Sequence, residues 1–126
     1  MVRRLSASGY LDDRAFAEGH VRRRSASRGP LALAAELSAR GVDRRLSAAA
    51  LDSFDRAAQV AAATRVAERL AARTPGARRA PFEGPAGYRE LLGSVGAKLL
   101  RRGFPQGVAR EACQAVWRGT ASIPEP

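Results

Sequence analysis

Apolar side chains recur every three to four residues through most of this chain, and no stretch alternates apolar and polar residues with the period of two that a strand requires. The spacing predicts helices and no sheet. Arg3 to Ser8 reads as the end of a helix, with Gly9 as its left-handed C-terminal cap. Asp12 then caps the next helix, Asp13 favours the positive helix end, and Phe16, Ala17, His20 and Val21 form its inward stripe. Gly29-Pro30 starts a third helix, since proline is preformed for the first turn. Leu33, Ala34 and Leu37 are its stripe, and Gly41 ends it. Asp43 caps a fourth helix bearing Leu46, Ala50 and Phe54. A fifth spans about Arg56 to Arg73, with Val60, Thr64, Ala67, Leu70 and Ala71 inward. Thr74 to Gly87 is rich in proline and glycine and reads as a linker. Tyr88, Leu91, Leu92, Val95 and Leu99 form the stripe of a sixth helix, which Gly93 and Gly96 weaken. The last helix runs from about Pro105 to Arg118, with Val108, Ala112, Ala115 and Val116 inward, and residues 119–126 form a disordered tail.

Two stretches repeat one pattern. Leu37-x-x-Arg40-Gly41-Val42-x-x-x-Leu46-x-x-x-Ala50 matches Leu99-x-x-Arg102-Gly103-Phe104-x-x-x-Val108-x-x-x-Ala112, and Leu5-x-x-x-Gly9-Tyr10 is a weaker third copy. Each is a helix, a glycine cap, an apolar residue and a second helix. The expected architecture is therefore all-α: tandem three-helix repeats in an elongated body. Residues 1–8 are the remnant of a preceding repeat, 9–54 one repeat, and 55–118 a second, interrupted by the linker at 74–87.

Charge adds a class of partner. The chain has 126 residues with 22 basic against 12 acidic ones, a net charge of +10. Such a field attracts polyanions: nucleic acid, an acidic protein surface, or both. Every basic residue but Lys98 is arginine, whose planar fork suits phosphate and carboxylate. Arg22-Arg23-Arg24, with Arg28 close behind, is the densest basic cluster near the N-terminus, and Arg101-Arg102 is its counterpart in the second half; with Arg40 they are the candidate partner-binding residues. No segment is apolar enough for a spanning helix, and no apolar core of a signal peptide follows the first basic residues. Cys113 and His20 are the only residues of their kinds, which rules out an internal disulfide and any Cys/His metal set. A reducing cytoplasmic setting fits.

Catalytic signatures do not appear. Asp12 and Asp13 are adjacent on a helix and so do not converge on one atom. The one lysine is followed by Leu99, not by the Ser or Thr of a phosphate-cradling loop. Ala34 to Leu51 has the outline of a DNA-binding helix-turn-helix, but Ser47 stands where that motif packs an apolar residue. The residues point to a binding module without catalysis, cofactor or metal.

Gly9-Tyr10-Leu11-Asp12-Asp13-Arg14-Ala15-Phe16-Ala17 resembles a signature of the RecX regulators of the RecA recombinase. The following pieces fit in order: Val21 and the basic run, Gly29-Pro30, Glu36-Leu37, Arg40-Gly41-Val42, Leu46, and Arg101-Arg102-Gly103-Phe104 as the closing motif. The resemblance covers about Leu5 to Trp117. It implies a stack of three-helix repeats that lodges as a monomer in the groove of the RecA filament and restrains recombination and ATP hydrolysis, with single-stranded DNA as a further contact. His20 departs from the family's usual tyrosine, Gly93 and Gly96 interrupt the helix before the closing motif, and a preceding repeat is expected ahead of Gly9. Two other readings stand beside it: a stand-alone basic nucleic-acid-binding module, and a degraded fragment.

Overall fold

The computed structural model describes residues 7–73 and 84–121, and every regular element among them is a helix. α1 (Ala7–Arg24), α2 (Pro30–Ala39) and α3 (Arg44–Leu51) form a first unit. α4 (Arg56–Arg73), α5 (Gly84–Leu91), α6 (Ala97–Arg101) and α7 (Gln106–Ala121) form a second. A π-helical turn, Leu92–Gly96, joins α5 to α6 without a break.

The helix starts and stops follow from local chemistry. Pro30 opens α2, where its missing N–H is no loss. Asp43 caps α3 by accepting from the Arg45 amide at 2.8 Å. Asp55 caps α4 in the same way, accepting from the Ala58 amide at 2.9 Å. Among the described glycines only Gly41 and Gly103 have positive φ, 79° and 91°. Both end a helix with one turn geometry, in which the Val42 amide reaches Leu37 O (3.0 Å) and the Phe104 amide reaches Leu99 O (3.2 Å). Arginine carries the C-cap in each, Arg40 and Arg102.

Several expectations are corrected. Gly9 is no cap and Asp12 opens no helix: α1 runs through both, and Ala7 and Ser8 belong to it. Packing of Ala17 and Val21, both buried, outweighs the roughly 1 kcal/mol that a glycine costs inside a helix. Gly84 to Gly87 form the first turn of α5 rather than the end of a linker; residues 74–83 lie outside the described residues. α7 continues to Ala121, so 119–121 are helical, and 122–126 lie outside the described residues, as do 1–6.

α4 packs along α7, and α1 on α3. In the second unit the buried stripes are Ala62, Ala63, Val66, Ala67, Leu70 and Ala71 from α4, and Val108, Ala109, Ala112 and Cys113 from α7. Ala115 faces outward, Val60 and Thr64 are only half-buried, and Cys113 takes the inward position. Leu91, Val95 and Leu99 are fully buried. The π-helical turn holds all three on one side, and it sits over the two glycines that the sequence shows there.

Candidate partner-binding surface

The first and second units meet where two glycine motifs touch. The Gly29 amide donates to the Arg102 carbonyl at 2.8 Å, and the Leu31 amide to the Gly103 carbonyl at 3.0 Å. The C-terminal turn of α6 thus caps the N-terminus of α2, satisfying amides that the helix itself leaves orphaned. The backbones approach too closely for side chains. A Cβ on Gly29 would lie 2.3 Å from the Gly103 carbonyl carbon and oxygen, and one on Gly103 would lie 2.4 Å from Ala32. Phe104, buried, anchors the turn from below. Gly29-Pro30 and Arg102-Gly103-Phe104, far apart in sequence, are therefore one structural contact.

Around this joint the charges are organised by Glu36 on α2. His20 Nε2 donates to its Oε1 at 2.7 Å, Arg28 Nε donates to its Oε2 at 2.7 Å, and Arg24 Nε stands 3.7 Å from Oε1. Burial alone would raise the Glu36 pKa; the hydrogen bonds from His20 and Arg28 and the charges of Arg28 and Arg24 outweigh it, and the carboxyl is held below its ordinary 4.5. The network runs on through α1. Phe16 stacks on His20, ring centroids 5.7 Å apart, and the Arg40 guanidinium sits 5.3 Å above the Phe16 ring. Arg102 Nη1 donates to the Ser27 carbonyl at 3.2 Å, tying the closing motif to the α1–α2 loop.

The cations converge on a concavity of about 410 Å³ lined by Arg28, Leu70, Lys98, Arg101 and Arg102. Four of these five are basic and the fifth is an apolar floor. The structure thus gathers three of the arginines singled out in sequence, Arg28, Arg101 and Arg102, and adds Lys98. Spacing was the signal for it: residues 98, 101 and 102 stand at i, i+3 and i+4 on one helix face.

Other expected residues lie elsewhere. Arg22, Arg23 and Arg24 are exposed at the end of α1. Arg22 lines a separate groove of about 710 Å³ with Phe54 and Arg65, while Arg23 folds back over Gly19. Arg24 and Arg40 belong to the Glu36 and Phe16 network and do not line the concavity. Of the Gly9-to-Phe16 motif, Gly9 is half-buried in α1, Leu11 and Asp12 are exposed, Asp13 is buried and Phe16 is half-buried; the Tyr10 side chain lies outside the described residues. Val21 and Leu37 are core. The motif is thus divided between the two sides of α1, with Asp13 and Ala17 buried and Leu11, Asp12, Arg14 and Ala15 exposed. α2, its turn and α3 do form a helix-turn-helix, with Ser47 buried in it. His20 is committed to Glu36. Burial pushes the Cys113 thiol up to about 11, which leaves it protonated and unreactive near neutrality. No group of three metal-ligating side chains occurs among the described residues, and no described helix is long and apolar enough to cross a membrane.

A family model described as "RecX, second three-helix domain" matches residues 12–51. The Regulatory protein RecX of Thermobifida fusca is 40% identical over 108 residues, covering 84% of this chain and 54% of that protein. That of Thermus thermophilus is 38% identical over 115 residues, 91% of this chain and 64% of the relative. That of Geobacillus kaustophilus is 34% identical over 110 residues, 86% of this chain and 38% of the relative. The chain therefore spans between 38% and 64% of the length of these relatives. No solved structure matches it.

Proposed function

Because the chain belongs to the RecX family, we propose that it is a non-catalytic regulator that binds the filament of the RecA recombinase and lowers its ATP hydrolysis and strand exchange. The observation that carries this reading is the joint. The closing motif, which the resemblance ties to RecX, supplies two of the four cations that line one concavity on a chain of net charge +10. A filament of protein wrapped on DNA is a large anionic body, and a basic module with several separate patches adds weak contacts through effective concentration. Occupying the filament groove and bridging neighbouring protomers would oppose the changes that turnover needs. The filament works in the cytoplasm on recombination and DNA repair, and the regulator acts there as a monomer.

Titrating the chain against preformed cognate filaments should lower DNA-stimulated ATP hydrolysis in a saturable way. Hydrolysis unchanged at saturating binding sinks the regulator reading. The net charge also favours a second reading, a stand-alone nucleic-acid module. Binding to bare single-stranded DNA should be weaker than to the filament and steeply salt-dependent. Replacing Arg22, Arg23 and Arg24 by Ala should flatten that dependence; equal affinity for bare DNA and filament would favour the second reading.

A further inference from the structure

Three large apolar side chains stand exposed among the described residues: Leu11, Leu31 and Leu100. Two of them flank the joint. Leu31 is 62% exposed and its amide donates to the Gly103 carbonyl; Leu100 is 48% exposed and its carbonyl accepts from the Gly103 amide. One hydrogen-bonded turn thus carries two exposed leucines; neither lines the basic concavity, whose floor is Leu70, but Leu100 precedes Arg101 on α6 and Leu31 is tied by its amide to Gly103, next to Arg102.

We propose that this joint is a docking surface for an acidic protein segment bearing aliphatic side chains, and not a track for a phosphate backbone; the proposal rests on the reading of the chain as a filament regulator. Three features separate the two partners. Phosphates gain nothing from leucines, whereas aliphatic side chains covering Leu31 and Leu100 remove apolar surface from water. Glu36 places a carboxylate among the cations, 2.7 Å from both His20 and Arg28. That anion weakens the local potential for a polyanion, while leaving Lys98 and Arg101 exposed for single carboxylates. Finally, Arg28 and Arg102 are fixed, one by Glu36 and the other by the Ser27 carbonyl. A guanidinium already held in place loses little freedom when it meets a carboxylate in a chosen geometry. Protein docking uses such a fixed pattern; the sequence-independent affinity for a nucleic-acid backbone comes from counterion release and does not need one.

The test compares four full-length proteins: the unchanged chain, L31S/L100S, K98E/R101E, and R45E/R110E, which makes the same charge change on the exposed faces of α3 and α7. Circular dichroism confirms equal helix content. Each is titrated into RecA filaments held on single-stranded DNA with a non-hydrolysable nucleotide, and into the same DNA bare. L31S/L100S should weaken filament binding about tenfold at every salt concentration and leave bare-DNA binding unchanged. K98E/R101E should weaken filament binding by about tenfold or more, and R45E/R110E by no more than about threefold. If L31S/L100S binds the filament as the unchanged chain does, the docking surface is wrong while the regulator reading survives. If K98E/R101E loses bare-DNA and filament binding equally and the leucine pair loses neither, the joint is a nucleic-acid track. Absence of filament binding by the unchanged chain overturns the regulator reading and the docking surface with it.

Discussion

Three glycines, Gly29, Gly93 and Gly103, differ in what a side chain would meet at their positions. Gly29 and Gly103 face each other across a backbone contact with no room for a methyl group, and Gly103 also holds φ at 91°. Gly93 is helical, exposed, and has nothing within 4 Å of where a Cβ would sit. Opposite signs are therefore expected for one substitution. Gly29→Ala and Gly103→Ala should each lower stability by about 3 kcal/mol, because the Cβ must push apart two hydrogen-bonded backbones. Gly93→Ala should raise it by about 0.5–1 kcal/mol, since the extra conformational freedom of glycine is lost from the unfolded chain only. Urea midpoints of the three variants check this; a Gly29→Ala protein as stable as its parent would show that the joint yields at little cost.

Elements were mostly legible in the sequence where a stripe and a stop signal agreed. α4 has the bounds that its apolar spacing predicts, and the turns at Gly41 and Gly103 are the left-handed caps that their motifs imply. The misreadings occurred where local chemistry and packing point different ways. Gly9 and Asp12 look like a stop and a start, yet α1 passes through both because Ala17 and Val21 are buried along it. The concavity was half legible: its arginines stood out as charge, but nothing in the sequence brings residue 28 to residue 102. What holds α1 to α2 is likewise a tertiary fact, the Glu36 carboxylate shared by His20 and Arg28. Because the fold holds this carboxyl below 4.5, its contribution is fully present above that pH and is lost as pH falls through the lower folded value. Glu36→Gln should cost about 1 kcal/mol at pH 7, discounted for its partial exposure. The gap between variant and parent should narrow as pH falls below 4.5. Urea midpoints at pH 7 and at pH 3 measure it; a gap that widens on acidification contradicts the network.

At the scale of the whole molecule, the two helical units hold together partly through a backbone-to-backbone cap, and that makes their cooperativity testable with one intrinsic probe. Trp117 is the only tryptophan, and it sits on α7 against Tyr88, ring centroids 5.3 Å apart, so its fluorescence reports the second unit alone. Far-ultraviolet circular dichroism reports helices of both. In the unchanged chain the joint makes the fate of one unit depend on the other: losing α6's turn strips α2 of its N-terminal acceptors, Arg102 O and Gly103 O. The two signals should therefore trace one coincident unfolding curve. A Cβ at Gly103 meets Ala32 at 2.4 Å and removes that dependence without touching either core directly. In Gly103→Ala the tryptophan and dichroism curves should separate, with the first unit melting on its own part of the dichroism trace. Curves that stay superimposed in the variant would place the coupling elsewhere, in the α4 contacts with the first unit's groove around Phe54 and Arg22. The outcome also bears on regulation, since a body that docks through its joint must keep the joint closed to present Leu31, Leu100 and the four cations together.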